Sequence, residues 1–130
     1  MNNLNSIILE GNLTKDPVLD QTSGGTSVCH FTVASNRYYK SDGERREEVG
    51  YYDVEVWSKL AETCGSYLYK GRGVRVVGHL KQDRWVSSEG QPRSRIHIVG
   101  EHVEFRGKQK NSSETEEEIL NTAAEEEAAF

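Results

Sequence analysis

The chain has 130 residues, 35% of them hydrophobic, and sets 16 Lys and Arg against 21 Asp and Glu for a formal net charge of −5. The imbalance is local: residues 1–107 hold fourteen of each sign, and beyond Gly107 only Lys108 and Lys110 stand against seven glutamates. A polyanionic ligand is therefore not excluded, whereas a disulfide framework is excluded by only two cysteines and a membrane-spanning helix by the lack of any run of about eighteen apolar residues.

Length and composition predict one folded domain over residues 1–107, small enough that association would supplement a modest core, followed by an acidic tail over residues 108–130. The opening Met1-Asn-Asn-Leu-Asn has neither the basic start nor the apolar run of a secretory signal. With Cys29 and Cys64 far apart in sequence, a reducing cytoplasm is the expected compartment.

In chain order, Ser6 to Leu13 opens with Ile7-Ile8-Leu9 and reads as a buried strand, closed by Asp16-Pro17 as a loop. After the Ser23-Gly24-Gly25 turn, Val28 to Asn36 alternates: Cys29, Phe31 and Val33 fall on one face, His30, Thr32 and Asn36 on the other. Residues Ser41 to Glu48 are almost all polar around Asp42-Gly43, which predicts an exposed, mobile hairpin loop. Extended structure resumes from Gly50 to Trp57, with Tyr52, Val54 and Val56 on one side and Tyr51, Asp53, Glu55 and Trp57 on the other.

Ser58 is then placed to cap a helix whose stripe is Leu60, Ala61, Cys64 and Leu68, with Gly71 positioned to end it in a left-handed conformation. Val74, Val76 and Gly78 alternate with Arg75 and Val77, then Leu80 to Val86 and Arg93 to Val99 form a long hairpin about Ser88-Glu89-Gly90, and Val103 and Phe105 extend or close the last strand. Five strands with one helix between the third and fourth predict an all-β, five-stranded Greek-key oligonucleotide-binding (OB-fold) barrel. The tail, rich in Glu, Asn, Ser, Thr and Ala, holds too few large apolar groups to offset ordering entropy and is predicted to be disordered.

From Leu4 to Phe105 the chain resembles the bacterial single-stranded DNA-binding proteins. The likeness rests on Asn5-x-Ile-Ile-Leu-x-Gly-Asn-Leu13 with Asp16-Pro17, on Tyr51 to Glu62, on Tyr67-Leu-x-Lys-Gly71, and on Gly78-x-Leu80 leading to Trp85. It implies an OB-fold barrel assembled as a homotetramer that binds single-stranded DNA irrespective of sequence. Matched position by position, it assigns base stacking to Tyr38, Tyr51, Trp57 and Trp85, and contact with the DNA backbone to Lys70, Arg72, Lys81 and Arg84. It also implies that Glu125, Glu126, Glu127 and Phe130 recruit replication, recombination and repair proteins. Three features depart from the family's pattern. Tyr38 and Tyr51 stand where many members have Trp, Asp53 and Glu55 share the outward face with Tyr51 and Trp57, and the tail is short and ends Glu-Glu-Glu-Ala-Ala-Phe instead of Asp residues followed by Ile-Pro-Phe.

The chemistry fits that resemblance. Single strands expose base faces that a duplex hides, and aromatic rings on a sheet can stack on them without reading identity. Cations beside the rings would pair with phosphates and make affinity fall with salt. The four rings could instead pack in a core and the cations could be ordinary solvated surface; Phe31 and Tyr52 are assigned to core or interface on that ground, and Trp85, preceded by Asp83-Arg84, to an exposed hairpin.

His30, His79, His97 and His102 with Cys29 and Cys64 show no metal-ligand spacing, and no triad of nucleophile, His and carboxylate is legible, so neither a cofactor nor catalysis is expected. Gly71-Arg-Gly73 follows a helix and precedes a strand, the reverse of a nucleotide-binding loop. Two alternatives remain: a primosomal or other protein-interaction module on the same barrel, and an RNA-binding barrel, because stacking faces do not distinguish sugars.

Overall fold

Alternating burial along the strands defines the architecture. In a computed structural model, which describes residues 1–108, the elements run β1 (Ile7–Leu13), β2 (Val18–Gln21), β3 (Ser27–Ser41), β4 (Glu44–Trp57), α1 (Ser58–Tyr67), β5 (Arg72–Val86) and β6 (Pro92–Lys108). The sheet order is β1-β5-β6-β4-β3-β2, and a further β1–β3 pairing joins the ends into a closed barrel of five strands with β2 at its margin. All pairings are antiparallel except β4 with β6. The predicted all-β OB-fold barrel with one inserted helix is therefore present.

Closure depends on the short contact Asn12↔Ala34 and Leu13↔Val33. The backbones approach so closely there that a Cβ on Gly11 would collide with the Ala34 carbonyl oxygen, so glycine is required for proximity. Asn5 extends the seam by imitating a strand: its side-chain amide donates to the Leu80 carbonyl at 2.8 Å and its side-chain oxygen accepts from the Leu80 N–H at 3.0 Å.

The core lies inside the barrel. Val33, Val54, Val56, Val74, Val76 and Phe105 are essentially fully buried there, with Phe31 and Ile98 beside them. The helix contributes Ala61 and Cys64 to the same cluster, joined by Leu68 just past its end. It begins at Ser58 itself, with Trp57 in extended conformation as the capping residue and no side-chain cap bond, so Ser58 is not the cap that its residue type suggested. It ends at Tyr67, where the Leu68 N–H donates to the Cys64 carbonyl. Gly71 does take φ +90°, but in the turn beyond, where its N–H reaches the Leu13 carbonyl.

Four further expectations are corrected or narrowed. The polar segment from Ser41 to Glu48 is no loose loop: β3 and β4 pair residue by residue out to Ser41↔Glu44, joined by the two-residue turn Asp42-Gly43 with φ of 52° and 76°. Positive φ at both positions matches the right-handed twist of the flanking strands. β1 is half-exposed, with Ile8 facing outward. Tyr52, read as core or interface, is half-exposed in the single chain and so is not core. β2, read from sequence as loop, pairs with β3 through Val18↔His30 to Gln21↔Ser27. The tail, with Glu125, Glu126, Glu127 and Phe130, lies outside the described residues.

Candidate nucleic-acid interface

Cross-strand partners in a sheet point to the same side, so the registers define which residues share a surface. β4 sends Trp57, Glu55, Asp53 and Tyr51 outward, and β3 places His30, Thr32 and Ala34 opposite the last three of these. Farther out along the β3–β4 ribbon, the same alternation puts Tyr38 on this side, opposite Glu47. Across the parallel pairing Glu55↔Val99, β6 adds His97, Arg95 and Arg93. Opposite those, in order, β5 adds Lys81, Asp83 and Trp85. One side of the barrel and its two ribbons thus carries all four assigned aromatic residues.

None of the four is core. Tyr38 is 57% exposed, Tyr51 68%, Trp57 37% and Trp85 48%. Two of them have side-chain partners: Trp57 donates its indole N–H to Glu55 Oε2 at 2.9 Å, and the Arg45 guanidinium lies over the Tyr38 ring, 5.6 Å from its centroid. Phe31, assigned to the core, is 3% exposed.

The assigned cations are placed less uniformly. Lys81 is exposed on the aromatic side, 4.0 Å from Asp83 Oδ1. Arg84 alternates with Trp85 and pairs with Ser94 on the opposite side of the hairpin, but near the tip Arg84, Trp85 and Arg93 line one cleft of about 500 Å³. Lys70 sits on the turn after the helix, its side chain exposed and its backbone N–H bonded to Asp16 at 2.8 Å; about 30 Å of strand separates that turn from Lys81.

Arg72 departs from its assignment. It is 3% exposed, its guanidinium donates to the carbonyls of Arg106 at 3.2 Å and Tyr67 at 3.4 Å, and it lies against the rings of Phe105 and Tyr69. A guanidinium has five donors suited to carbonyl oxygens and a flat face suited to aromatic rings; this one is a structural tie between α1 and β6, out of reach of a phosphate.

Arg93 and Arg95 were missed by sequence reading, and so was Lys15, which lines a cleft with Asp53 and Arg95. Only the β5–β6 register, fixed by the turn from Ser87 to Gln91, shows that Arg93 lies opposite Trp85 and Arg95 opposite Asp83 on the same side. The signal available beforehand was their alternation in Arg93-Ser94-Arg95.

Both outward carboxylates have polar partners. Asp53 accepts from the Thr32 hydroxyl at 2.8 Å and faces Arg95 at 3.6 Å. Glu55 takes the Trp57 N–H and lies 3.4 Å from His97 Nε2; the other side of that imidazole is 3.4 Å from Asp83. The Arg95 charge at that distance removes much of the repulsion Asp53 would exert on a phosphate track.

The two cysteines belong to the core. Burial pushes the Cys29 thiol up to about 11, with Asp20 adding to the effect, and raises Cys64 further, again chiefly by burial. Among the described residues no cluster of His, Cys, Asp and Glu is suited to a metal ion, and no helix is long and apolar enough to cross a membrane.

Comparison with known proteins gives a consistent result. The chain is 42% identical over 120 residues to "Single-stranded DNA-binding protein 2" of Chlorobaculum tepidum, covering 91% of this chain and 81% of that one. It is 41% identical over 107 residues to the single-stranded DNA-binding protein of Treponema pallidum, covering 82% of this chain and 60% of that one. Its fold superposes on the Plasmodium falciparum SSB solved in complex with ssDNA with a TM-score of 0.76 at 25% identity, covering 82% of this chain and 97% of that one. Residues 4–106 match the Single-strand binding protein family, and the chain belongs to that family.

Proposed function

We propose that the protein binds single-stranded DNA without regard to overall sequence, protecting it during replication, recombination and repair, and that it does so without catalysis or cofactor. The observation that carries this reading is the alignment of Tyr38, Tyr51, Trp57 and Trp85, all substantially exposed, on one side of the barrel. Base–aromatic stacking contributes about 1–3 kcal/mol per base and tolerates any sequence. Lys70, Lys81 and Arg84, joined by Lys15, Arg93 and Arg95, supply charge for phosphates, and counterion release makes that part of the affinity salt-dependent. Arg72 is left out of the set because its guanidinium is buried. The single-stranded DNA-binding proteins named above support the choice of ligand.

Association into a homotetramer is part of the proposal. Ile8, Leu80, Ile96 and Tyr52 are exposed apolar or aromatic side chains of the kind that assembly covers, and linked copies raise the effective affinity of separate patches. The acidic segment with Glu125 to Glu127 and Phe130 is proposed to recruit replication, recombination and repair proteins, offering an aromatic anchor to a basic pocket. A cytoplasmic, nucleoid-associated location is part of the proposal.

The test is competition. Labelled oligo-dT bound by the full chain should be displaced by unlabelled single-stranded DNA and poorly by duplex or by RNA of matched sequence. Equal displacement by RNA would favour an RNA-binding barrel, and failure to bind oligo-dT while a replication protein is captured would favour an interaction module.

A further inference from the structure

His97 lies on the aromatic side of the barrel yet is only 6% exposed, and its ring sits between carboxylates from two neighbouring strands. Nε2 is 3.4 Å from Glu55 Oε2 on β4, and Nδ1 is 3.4 Å from Asp83 Oδ2 on β5. The first contact has hydrogen-bond geometry; the buried Nδ1 completes no hydrogen bond among the described residues. The two carboxylates differ in freedom. Glu55 has a side chain 14% exposed, and its Oε2 also takes the Trp57 N–H. Asp83 has a side chain 49% exposed, and its other oxygen faces Lys81 Nζ at 4.0 Å.

A neutral imidazole carries one N–H and one lone pair, whereas an imidazolium donates from both nitrogens. Between two carboxylates the neutral ring can satisfy only one, and its other nitrogen meets an acceptor with a lone pair. The second proton therefore decides which cation holds Asp83. An imidazolium competes with Lys81 for it, and a neutral ring leaves it to Lys81. The remaining charged and titratable groups around the ring are Lys15, His30, Asp53 and Arg95, which line a cleft with His97 and Glu55. Of these Arg95 is turned towards Asp53, and farther along β5 His79 faces Glu101 at 3.5 Å.

Resting on the single-strand reading above, we propose that His97 is a positioning residue that couples DNA binding to the uptake of a proton. As imidazolium it draws Asp83 away from Lys81, so that Lys81 and the ring's own charge both act on the phosphates. As neutral imidazole it releases Asp83, which then occupies Lys81 beside Trp85. A bound strand brings negative charge to this side and so favours the protonated ring, and by linkage the protonated ring favours the strand in equal measure. Imidazole is the side chain whose charge changes near neutral pH, so affinity falls as pH rises through that range.

The experiment is calorimetric titration of the full chain with oligo-dT, whose bases neither gain nor lose a proton near neutrality, from about pH 6 to about pH 8. Parallel titrations in phosphate and in Tris read the protons taken up. Across this range the native protein should lose about three- to tenfold in affinity and take up protons on binding. His97→Gln keeps a donor and an acceptor but cannot ionise, and should lose most of both effects, whereas His79→Gln should keep them. Native affinity independent of pH, a dependence that persists in His97→Gln, or one removed by His30→Gln instead would overturn the coupling and leave single-strand binding intact. Absence of binding at every pH would overturn the single-strand reading and the coupling together. If His97→Gln does not fold, the native ring decides the matter: its NMR resonances at neutral pH should move towards those of imidazolium on saturation with oligo-dT, and an unchanged protonation state would contradict the proposal.

Discussion

The indole N–H of Trp57 donates to Glu55 Oε2 at 2.9 Å, two residues back along the same face of β4. Glu55 in turn faces His97 on β6, which faces Asp83 on β5. A partly exposed ring is thereby fixed to three strands, and its stacking face is set before any ligand arrives, which lowers the ordering cost of binding. Glu55→Gln keeps an acceptor for the indole and should bind oligo-dT within about twofold of the native protein. Glu55→Leu frees the ring and should weaken binding by about two- to tenfold, the range of one hydrogen bond. In a Trp85→Phe background, steady-state anisotropy of Trp57 should fall for the Leu variant and not for the Gln variant.

The rings and the cations act through different terms and should be separable. Trp85→Ala or Tyr51→Ala should weaken binding by about 1–3 kcal/mol with the slope of log affinity against log salt unchanged. Lys81→Ala should weaken binding and reduce that slope by about 0.7, one phosphate contact on a single strand. Titrations at several salt concentrations check both.

Arg72 should fail the same salt test. Its guanidinium donates to the carbonyls of Arg106 and Tyr67 in part-buried bonds, so Arg72→Ala removes both and should destabilise the fold by about 1–3 kcal/mol. The expected outcome is a lowered thermal midpoint with the salt slope of the folded variant unchanged. A reduced slope would return Arg72 to the phosphate-binding set.

The period-two alternation of Val28 to Asn36 and of Gly50 to Trp57 was legible because each strand has one side in the barrel and one outside. From it came part of the core and the outward placing of Tyr51 and Trp57; the barrel came from the order of five strands and one helix. The ribbon beyond them was not legible, since Ser41 to Glu48 buries nothing and its pairing is set by the Asp42-Gly43 turn. β2 has four exposed residues and so no hydrophobic pattern. The burial of Arg72 depends on carbonyls of Tyr67 and Arg106 that only tertiary structure brings to it, and the placement of Arg93 and Arg95 depends on the β5–β6 register. Ser58 was misread because Trp57 already occupies the extended capping position.

The thiols give a pH prediction. Because burial raises Cys29 to about 11 from an ordinary 9.0, with Cys64 raised as well, the folded protein keeps protons that the unfolded chain releases above 9. This contribution to stability is fully present below the unfolded value and is lost as pH rises through the folded one. The denaturant midpoint should fall as pH climbs from 9 towards 11, and less steeply in Cys29→Ala. At neutral pH neither thiol should react with a disulfide reagent until denaturant is added.

For the tail, deletion of Glu125 to Phe130 should leave affinity for oligo-dT unchanged or slightly higher, because acidic residues compete with DNA for the protein's cations. Capture of replication and repair proteins should be lost. Retained capture by the truncated chain would contradict the recruiting role.

The most direct measurement is a titration of intrinsic tryptophan fluorescence with oligo-dT at rising salt, on the native chain and on Trp57→Phe and Trp85→Phe. Stacking on the exposed face requires strong quenching in the native protein, partial quenching in each variant, and an affinity that falls as salt rises. Fluorescence unchanged at saturating oligo-dT, with bound DNA verified by an independent label, would show that the strand runs elsewhere and that the aromatic face is not the binding surface.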